Sequence, residues 1–459
     1  MMLDVAHKGA KPLNAGHSSI IGASRTTMKT SLRLLTKRRF APLFATQLLG
    51  AFNDNLFKNA MVLFVVFSVY SDPQAETWFS ALATAAATVP FFLLSALAGQ
   101  LADQRDKAGI IRIVKLAEIL IMLVGAVGLV LAWMATAVEL VAIPLMMVAM
   151  LAMGIHSTFF GPIKYAILPQ HLKDDEILGG TGLVEAGTYI AILAGTILAG
   201  LIAVEVAAVV VLATACLGYL TGRMVPPAPP LAQAGKLDFH IVRASVRLVS
   251  ATMHIPRLFL AIVSISFFWT IGTVLFIQFP PLVKNVLAAD KAIASVFLGI
   301  FSVGVAIGSI VINRLLQGKV SARFAPASVL AMGGFVLVYH VLCRLWESGV
   351  APGQLMTLSD FLAHRHAVAM LLTLLGIAVS GGMFVVPLYA FLTTTVDKSQ
   401  AARTVAANNI VNSGAMVVGA LITLGMSAAG VNVVNQLLFT ASMTVLSAWL
   451  AQKLHLACD

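Results

Sequence analysis

The sequence contains few charged residues and few cysteines. Only 11% of its 459 residues are Asp, Glu, Lys or Arg, whereas 59% are hydrophobic, and the mean hydropathy is +0.94. This composition excludes an ordinary soluble domain and is typical of a polytopic membrane protein. The three cysteines, Cys216, Cys343 and Cys458, have no CxxC spacing and no matching set of histidines. Neither a zinc site nor a disulfide framework is therefore predicted.

Signatures of several protein classes are also missing. The sequence has no Walker A motif, so direct coupling to ATP hydrolysis is not expected. It has no HxxxxD acyl-transfer pair, no GxSxG elbow and no metal-ligand cluster, which argues against a membrane-embedded enzyme and against a cofactor. Residues 1–38 are polar and basic and have no apolar segment ahead of a cleavage site. We therefore expect a basic cytoplasmic tail and no cleavable signal peptide.

Apolar runs long enough to cross a bilayer recur twelve times between Phe40 and Lys453. A Pro-rich, basic segment separates the sixth run from the seventh. The predicted fold is an all-α polytopic membrane protein with twelve transmembrane helices in two six-helix bundles. The predicted domains are a tail at 1–38, an N-terminal bundle at 39–223, a cytoplasmic linker at 224–256 and a C-terminal bundle at 257–459. Within the linker, Phe239–Met253 is apolar at helical spacing and is expected to lie on the membrane surface.

Basic residues fall on alternate sides of the predicted spans. The breaks after spans 2, 4, 6, 8 and 10 contain Arg105, Lys107, Arg112, Lys173, Arg223, Lys236, Arg314, Lys319, Arg323, Lys398 and Arg403. The breaks after spans 1, 3, 5 and 11 contain none, while Lys284, Lys291, Arg344 and Arg365 lie against the trend. The positive-inside rule therefore places both termini in the cytoplasm. The same pattern accounts for the net charge of +11 without a nucleic-acid partner.

The first span carries an unusual group of polar residues. Gly50–Asn59 reads GAFNDNLFKN. Asp54 and Lys58 are four residues apart, so they share one helix face and can pair. A charged group at bilayer depth is costly unless it is paired or faces a wet cavity. Asp54, Asn55 and Lys58 are therefore candidate substrate-binding residues.

The break between spans 2 and 3 reads GQLADQRDKAGIIR. It resembles the signature loop of the major facilitator superfamily, GxLaDrxGrk, although Asp106 stands where that pattern has glycine. Gly99 is expected to permit close helix approach, and Asp103, Arg105 and Lys107 to bridge helix ends as a gating loop. A degenerate echo, NRLLQGKVSAR, follows span 8. Two such loops are typical of two parallel repeats.

Three further blocks have a narrower resemblance. The first is QLLGAFNDNLFKNA (Gln47–Ala60). The second is FFGPIKYAILPQHL (Phe159–Leu172), continued by GGTGLVEAGTYIAILAGTILAG (Gly179–Gly200). The third is GGMFVVPLYAFL (Gly381–Leu392), followed by ARTVAANNIVNSGAM (Ala402–Met416). Together they resemble the lysophospholipid transporter family of bacterial inner membranes.

That resemblance implies a secondary transporter of lysophospholipids, such as lysophosphatidylethanolamine, toward the cytoplasmic leaflet. It also implies a cytoplasmic acyltransferase–acyl-carrier-protein synthetase as partner, which we expect to be a separate chain. Asp54 matches the family's acid of span 1, Lys164 the lysine of span 4 and Glu185 the acid of span 5. Where relatives carry a basic residue in span 7, this chain has Phe276.

A zwitterionic lipid with one acyl chain suits these residues chemically. Its phosphate would be drawn to Lys58 or Lys164, and its amine to Asp54 or Glu185. Asn408 and Asn412, one turn apart on span 11, share a face and can bind glycerol oxygens. His156 is interpreted as a packed histidine rather than a proton relay, and Glu118 as a partner of Lys115 near the cytoplasmic end.

A drug or siderophore exporter of the same superfamily would share the loop and the fold. The three blocks favour lysophospholipid transport over that alternative. Asp54 and Glu185 are candidates for carrying protons or helping to bind sodium.

Overall fold

The computed structural model describes residues 33–230, 239–316, 320–351, 354–395 and 398–458. Most of the predicted tail, and residues 231–238 of the predicted linker, lie outside the described part. Within the described ranges the regular structure is helical, apart from one isolated bridge between Ala289 and Met356.

Twelve long helices form the body of the molecule. They are α1 (Ala41–Phe64), α2 (Pro73–Gln104), α3 (Lys107–Trp133), α4 (Ile143–Ala166), α5 (Asp174–Leu201), α6 (Val204–Arg223), α7 (Pro256–Asn285), α8 (Lys291–Leu315), α9 (Ala325–Arg344), α10 (Ala367–Thr394), α11 (Lys398–Ala428) and α12 (Val433–Cys458). Shorter helical segments are Arg33–Thr36, Val65–Val69, Val138–Ala142, Leu168–His171, Leu358–Ala363 and Ile241–Met253, which we call the linker helix.

The two sets of six helices pack in the same pattern. In the N-terminal half α1 contacts α5 and α6, α2 contacts α4, and α3 contacts α4 and α6. In the C-terminal half the helices six positions later repeat each of these contacts. The halves meet through α2 with α11 and through α5 with α8, which are also equivalent pairs. The predicted architecture of two six-helix bundles is confirmed, and its symmetry is that of parallel repeats.

Ten of the described helices are long and apolar enough to cross a membrane. Of the other two long helices, α1 falls short because it carries the polar residues of the GAFNDNLFKN block. Many side chains in the first half of α5 lie outside the described part, and its described apolar stretch is Ile190–Leu201. Polarity within α1 makes it the helix to examine for a polar site.

The carboxylates of Asp72, Asp106 and Asp290 cap the starts of α2, α3 and α8. Asp72 accepts a hydrogen bond from the amide of Ala75 at 2.8 Å at the start of α2, and Asp290 caps α8 in the same way. Such caps satisfy amide groups that have no partner within the helix. The end of the bundle with the α1–α2 and α7–α8 turns is called the Lys284 end below. The end with the α2–α3 loop and the linker helix is called the linker end.

Candidate functional site

The polar face of α1 turns toward α4. Asp54 accepts a hydrogen bond from Ser157 Oγ at 2.5 Å, and its other carboxylate oxygen is buried without a hydrogen-bond partner. The predicted pairing with Lys58 is not formed, since none of the ion pairs in the described residues joins Asp54 to Lys58. The Ser157 hydroxyl donates to one oxygen of the Asp54 carboxylate instead. Lys58 is half-buried, so the structure leaves an acid and a base one turn apart and not joined to each other.

Next to Asp54, four side chains form a buried network. Lys115 Nζ lies 2.6 Å from Glu118 Oε2, and the two side chains are 0% and 1% exposed. Asn53 donates to Glu118 Oε1 at 2.8 Å, and His156 Nε2 lies 3.2 Å from Glu118 Oε2. The expected Lys115–Glu118 pair is present, but it lies in the core of the half rather than near the end of the helix. Its charges are paired and hydrogen-bonded, as a buried ion pair requires.

Glycines make room for the Lys115 side chain. A Cβ built on Gly50 would lie 2.4 Å from Lys115 Nζ, so no larger residue fits there without moving the ammonium. Cβ atoms on Gly218 and Gly222 would meet the aliphatic stem of Lys115 at 3.8 and 3.4 Å. The Phe160 ring lies 4.7 Å from the ammonium, in cation–π contact. The glycine of the GAFNDN block is therefore explained by a lysine on α3.

Helix α5 meets the same face of α1 through a second polar set. Thr188 Oγ1 donates to Gln47 Oε1 at 2.8 Å, and Lys164 Nζ donates to Thr188 Oγ1 at 3.5 Å. Asn55 donates to the carbonyl of Ala51 in its own helix. The structure thus brings the candidate residue Lys164 to α1. The side chains of Glu185 and Asp103 lie outside the described part.

In the C-terminal half, Asn408 and Asn412 are both buried. Ser266 donates to Asn412 Oδ1 at 2.8 Å, and Asn412 Nδ2 donates to the hydroxyl of Tyr389 at 3.4 Å. Asn412 therefore ties α11 to α7 and α10. The carbonyl oxygen of Asn408 is buried without a partner, so it is an acceptor still available to a ligand. Phe276 packs edge-on against Phe301 at 4.9 Å between ring centres.

The α2–α3 loop is held in a way that the facilitator pattern does not suggest. Asp106 accepts from the amide of Gly109 at 3.0 Å, which caps α3, and from the amide of Ala228 at 2.8 Å, which ties the loop to the linker. Lys107 is buried and Arg105 is exposed. A Cβ on Gly99 would meet no atom within 4 Å, so the expectation that this glycine permits close helix approach is wrong.

The two halves are fastened together at the Lys284 end. Lys284 Nζ donates to the carbonyl oxygens of Val66 at 2.5 Å and Tyr70 at 2.6 Å, and it pairs with Glu76 at 2.5 Å. Asn285 donates to the other oxygen of Glu76. Glu76 has no exposed side-chain surface. Lys284, a basic residue that runs against the topology trend, thus joins α7 to the start of α2 and the end of α1.

Two further contacts close the same end. Lys291 Nζ donates to the carbonyl of Ile202 at 2.8 Å, and Gln74 donates to the carbonyl of Ser427 at 3.0 Å. Together with the Lys284 contacts, these side-chain hydrogen bonds join the two halves at this end. The structure is therefore a state that is closed at this end.

At the linker end, an ion pair lies within the N-terminal half. Arg39 binds both carboxylate oxygens of Glu176 at 2.7 Å. The amide of Lys173, and then Arg39, hold the pKa of Glu176 below its usual value. Burial lowers the pKa of His171 below 6.5, although its Nε2 lies 3.4 Å from the carbonyl of Pro227.

Sequence reasoning missed the buried network on α3 and α4. It treated His156 as a packed histidine and the Lys115–Glu118 pair as a local feature near the helix end, and it did not include Ser157. The signal was present, because ionisable residues inside two spans are a reason to expect a site. What the sequence lacks is the crossing of α1, α3 and α4 that brings these residues together.

Comparison with known proteins agrees with this architecture. A model of the Major Facilitator Superfamily matches residues 43–420. Among solved structures, a D-xylose–proton symporter superposes with a TM-score of 0.65 at 14% identity, covering 91% of this chain and 97% of that one. A bacterial homologue of the iron transporter ferroportin, in an inward-facing state, gives 0.64 at 12% identity, covering 91% and 98%. These likenesses concern the fold.

Curated relatives confirm the narrower resemblance. The lysophospholipid transporter LplT of Citrobacter koseri is 26% identical over 411 residues, 88% of this chain and 90% of that one. The same-named protein of Serratia proteamaculans is 24% identical, over 89% and 92% of the two chains. That of Escherichia coli K12 is 24% identical, over 66% and 72%. The family model spans most of the chain, and the helices repeat the same contacts in the two halves. This multi-pass membrane transport protein therefore belongs to the Major Facilitator Superfamily.

Proposed function

We propose that this chain moves lysophospholipids across the bacterial inner membrane, toward the cytoplasmic leaflet, by alternating access. The observation that carries the proposal is the unjoined acid and base, Asp54 and Lys58, one turn apart on a helix that crosses an apolar bundle. Such a pair complements a headgroup that bears both charges. The relatives named as lysophospholipid transporters support the same class of substrate.

The headgroup would be recognised by groups that the fold holds on three helices. Asp54 keeps one carboxylate oxygen unpaired for an amine, while Lys58 on α1 or Lys164 on α4, which binds Thr188, offers positive charge to a phosphate. Asn408 has an unpaired carbonyl oxygen for a glycerol hydroxyl. The buried Lys115–Glu118 network positions α1 by holding Asn53, the neighbour of Asp54.

Alternating access requires that the two halves separate at one end while they close at the other. The closed Lys284 end is one such state, and the α2–α11 and α5–α8 contacts are the surfaces about which the halves would rock. If both termini are cytoplasmic, as the basic loops predict, the closed end faces the periplasm. A cytoplasmic acyltransferase would then consume the lipid delivered.

The proposal is tested by uptake of labelled lysophosphatidylethanolamine into spheroplasts that lack their own lysolipid transporter. Conversion to diacyl lipid reports arrival at the inner leaflet. The chain should give clear uptake, and Asp54→Asn and Lys58→Ala should each abolish it. Both proteins should still insert, since neither substitution touches the Lys115–Glu118 pair.

Matched controls are available on the surface. Glu139→Gln and Lys37→Ala remove one charge of the same sign from exposed positions, and both should transport normally. If Asp54→Asn and Lys58→Ala also transport normally, the α1 site is wrong. If a well-inserted parent chain gives no uptake, the drug or siderophore exporter becomes the better reading, and efflux assays decide it.

A further inference from the structure

The linker helix has an outer face that the protein does not cover. Its inner face packs against α2 and α11, and there Thr252 is buried. On the outer face Phe239, Val242 and Val246 are 71%, 69% and 60% exposed. Val242 and Val246, four residues apart, lie in one row of the helix, and Phe239 stands two residues before its start. Packing within the protein accordingly leaves this apolar row without a partner.

A basic row runs beside the apolar one. Arg243 and Arg247, one turn apart, are both exposed. From residue 239 to residue 257 the sequence has three arginines and two histidines and no Asp or Glu. A helix with an apolar row flanked by arginines can lie at the boundary between acyl chains and headgroups. Its positive charge complements the negative charge of anionic lipid.

The position of the helix suits the same partner. Two residues, His254 and Ile255, separate its last residue, Met253, from Pro256, where the membrane-spanning helix α7 begins. The linker helix is thus tied to the point where α7 enters the bilayer. It also contacts helices α2 and α11.

We propose that the linker helix is a binding surface for anionic phospholipid headgroups of the leaflet at the linker end. Arg243 and Arg247 bind the phosphates, and Phe239, Val242 and Val246 enter the adjacent acyl region. The helix contacts α2 and α11, which come from different halves. Lipid bound to the helix is therefore coupled to the packing of both halves. The proposal does not depend on which substrate is moved.

Amide hydrogen exchange of residues 240–253 in nanodiscs tests it. The full chain is placed in phosphatidylcholine alone or in equal parts phosphatidylcholine and phosphatidylglycerol. We expect slower exchange in the anionic discs, by about fivefold for each arginine engaged. Arg243→Gln with Arg247→Gln should remove the difference in exchange rate between the two kinds of disc. Salt at a concentration of about 1 M should reduce that difference by screening the charges. Val242→Ser with Val246→Ser should speed exchange in both discs.

The control removes the same charge elsewhere at the linker end. Arg314→Gln with Arg323→Gln takes away two exposed arginines outside the helix and should leave the lipid dependence intact. Equal exchange of the parent protein in the two lipid mixtures overturns the proposal. So does loss of the lipid dependence in the control pair, because the effect would then belong to the net charge of the surface.

Discussion

Lys284 is the residue on which closure of one end of the transporter most depends. Its ammonium binds Glu76 and the carbonyls of Val66 and Tyr70, all in the opposite half. Replacing Lys284 by Met keeps an apolar stem of similar length and removes the charge. In the closed state the substitution removes one hydrogen-bond partner from the buried carboxylate of Glu76 and from each of the two carbonyls. When the end is open these groups meet water, and the substitution costs little there.

The size of the effect follows from burial. Removing one partner of a buried ion pair costs about 3–5 kcal/mol. Lys284 keeps 16% of its side-chain surface exposed, so the lower figure applies. About 3 kcal/mol shifts the ratio of closed to open states by roughly a hundredfold. Lys291→Met, which removes a single bond to a carbonyl, should shift the ratio by about tenfold.

The assay is labelling of a buried cysteine between the halves. Ile277 is 1% exposed and packs with Ala81 and Ala420, from both halves, near the Lys284 end. Ile277→Cys is made in a chain whose three native cysteines are replaced by alanine. Its rate of reaction with a membrane-impermeant maleimide then reports opening. Lys284→Met should raise that rate by up to a hundredfold.

A double variant separates the ion pair from general damage. Glu76→Gln combined with Lys284→Met leaves no unpaired buried charge, so its labelling rate should fall back toward that of the parent. Lys453→Met, at an exposed position, should have no effect. The reasoning fails if Lys284→Met labels at the parent rate, or if the double variant is more open than the single one.

Three further predictions concern stability in detergent, measured by thermal unfolding. Gly50→Ala should cost about 1–3 kcal/mol by displacing the Lys115 ammonium, whereas Gly99→Ala should be neutral because its Cβ has open space. Lys115→Met should cost about 3–5 kcal/mol, and Lys115→Met with Glu118→Gln less. Burial lowers the pKa of His171, so neutral His171 contributes to the free energy of unfolding above about pH 6.5, and this contribution is lost as the pH falls. In His171→Asn the free energy of unfolding should therefore fall less steeply at acid pH.

Each of these has an outcome that contradicts it. Equal midpoints for Gly50→Ala and Gly99→Ala would mean that Lys115 has room to move. A double variant less stable than Lys115→Met would mean that the pair is not the source of the loss. An unchanged pH profile for His171→Asn would place the acid sensitivity in other groups, such as Glu176.

The architecture could be predicted from the sequence because its causes are local. Apolar runs, the linker and the alternation of basic residues gave twelve helices in two sets. Even the polar interruption of α1 was visible. The four basic residues that broke the topology pattern were set aside, yet Lys284 and Lys291 among them fasten the halves together. A rule about loop charge cannot distinguish a residue that faces water from one that crosses an interface.

The candidate site residues stay predictions. Asp54, Lys58 and Lys164 are predicted from the motifs that contain them, and the structure places Asp54 against Ser157 and Lys164 against Thr188. The Asp54–Lys58 pair was expected from helix spacing, but Ser157 on another helix competes for the carboxylate. The role of Asp106 likewise depends on Ala228, more than a hundred residues away. Contacts of this range are set by tertiary packing, which spacing along one helix does not contain.

The low apolarity of α1 has a consequence for biogenesis. Asp or Lys at the centre of a helix opposes its insertion by about 2.5–3.5 kcal/mol each. Helix α1, with both, is therefore a poor independent signal for the translocon when it emerges. Its integration should depend on α2 and α3 following it, since Glu118 and Lys115 arrive with α3. The residues proposed to bind the headgroup would thus set the order in which the N-terminal half can be assembled in the membrane.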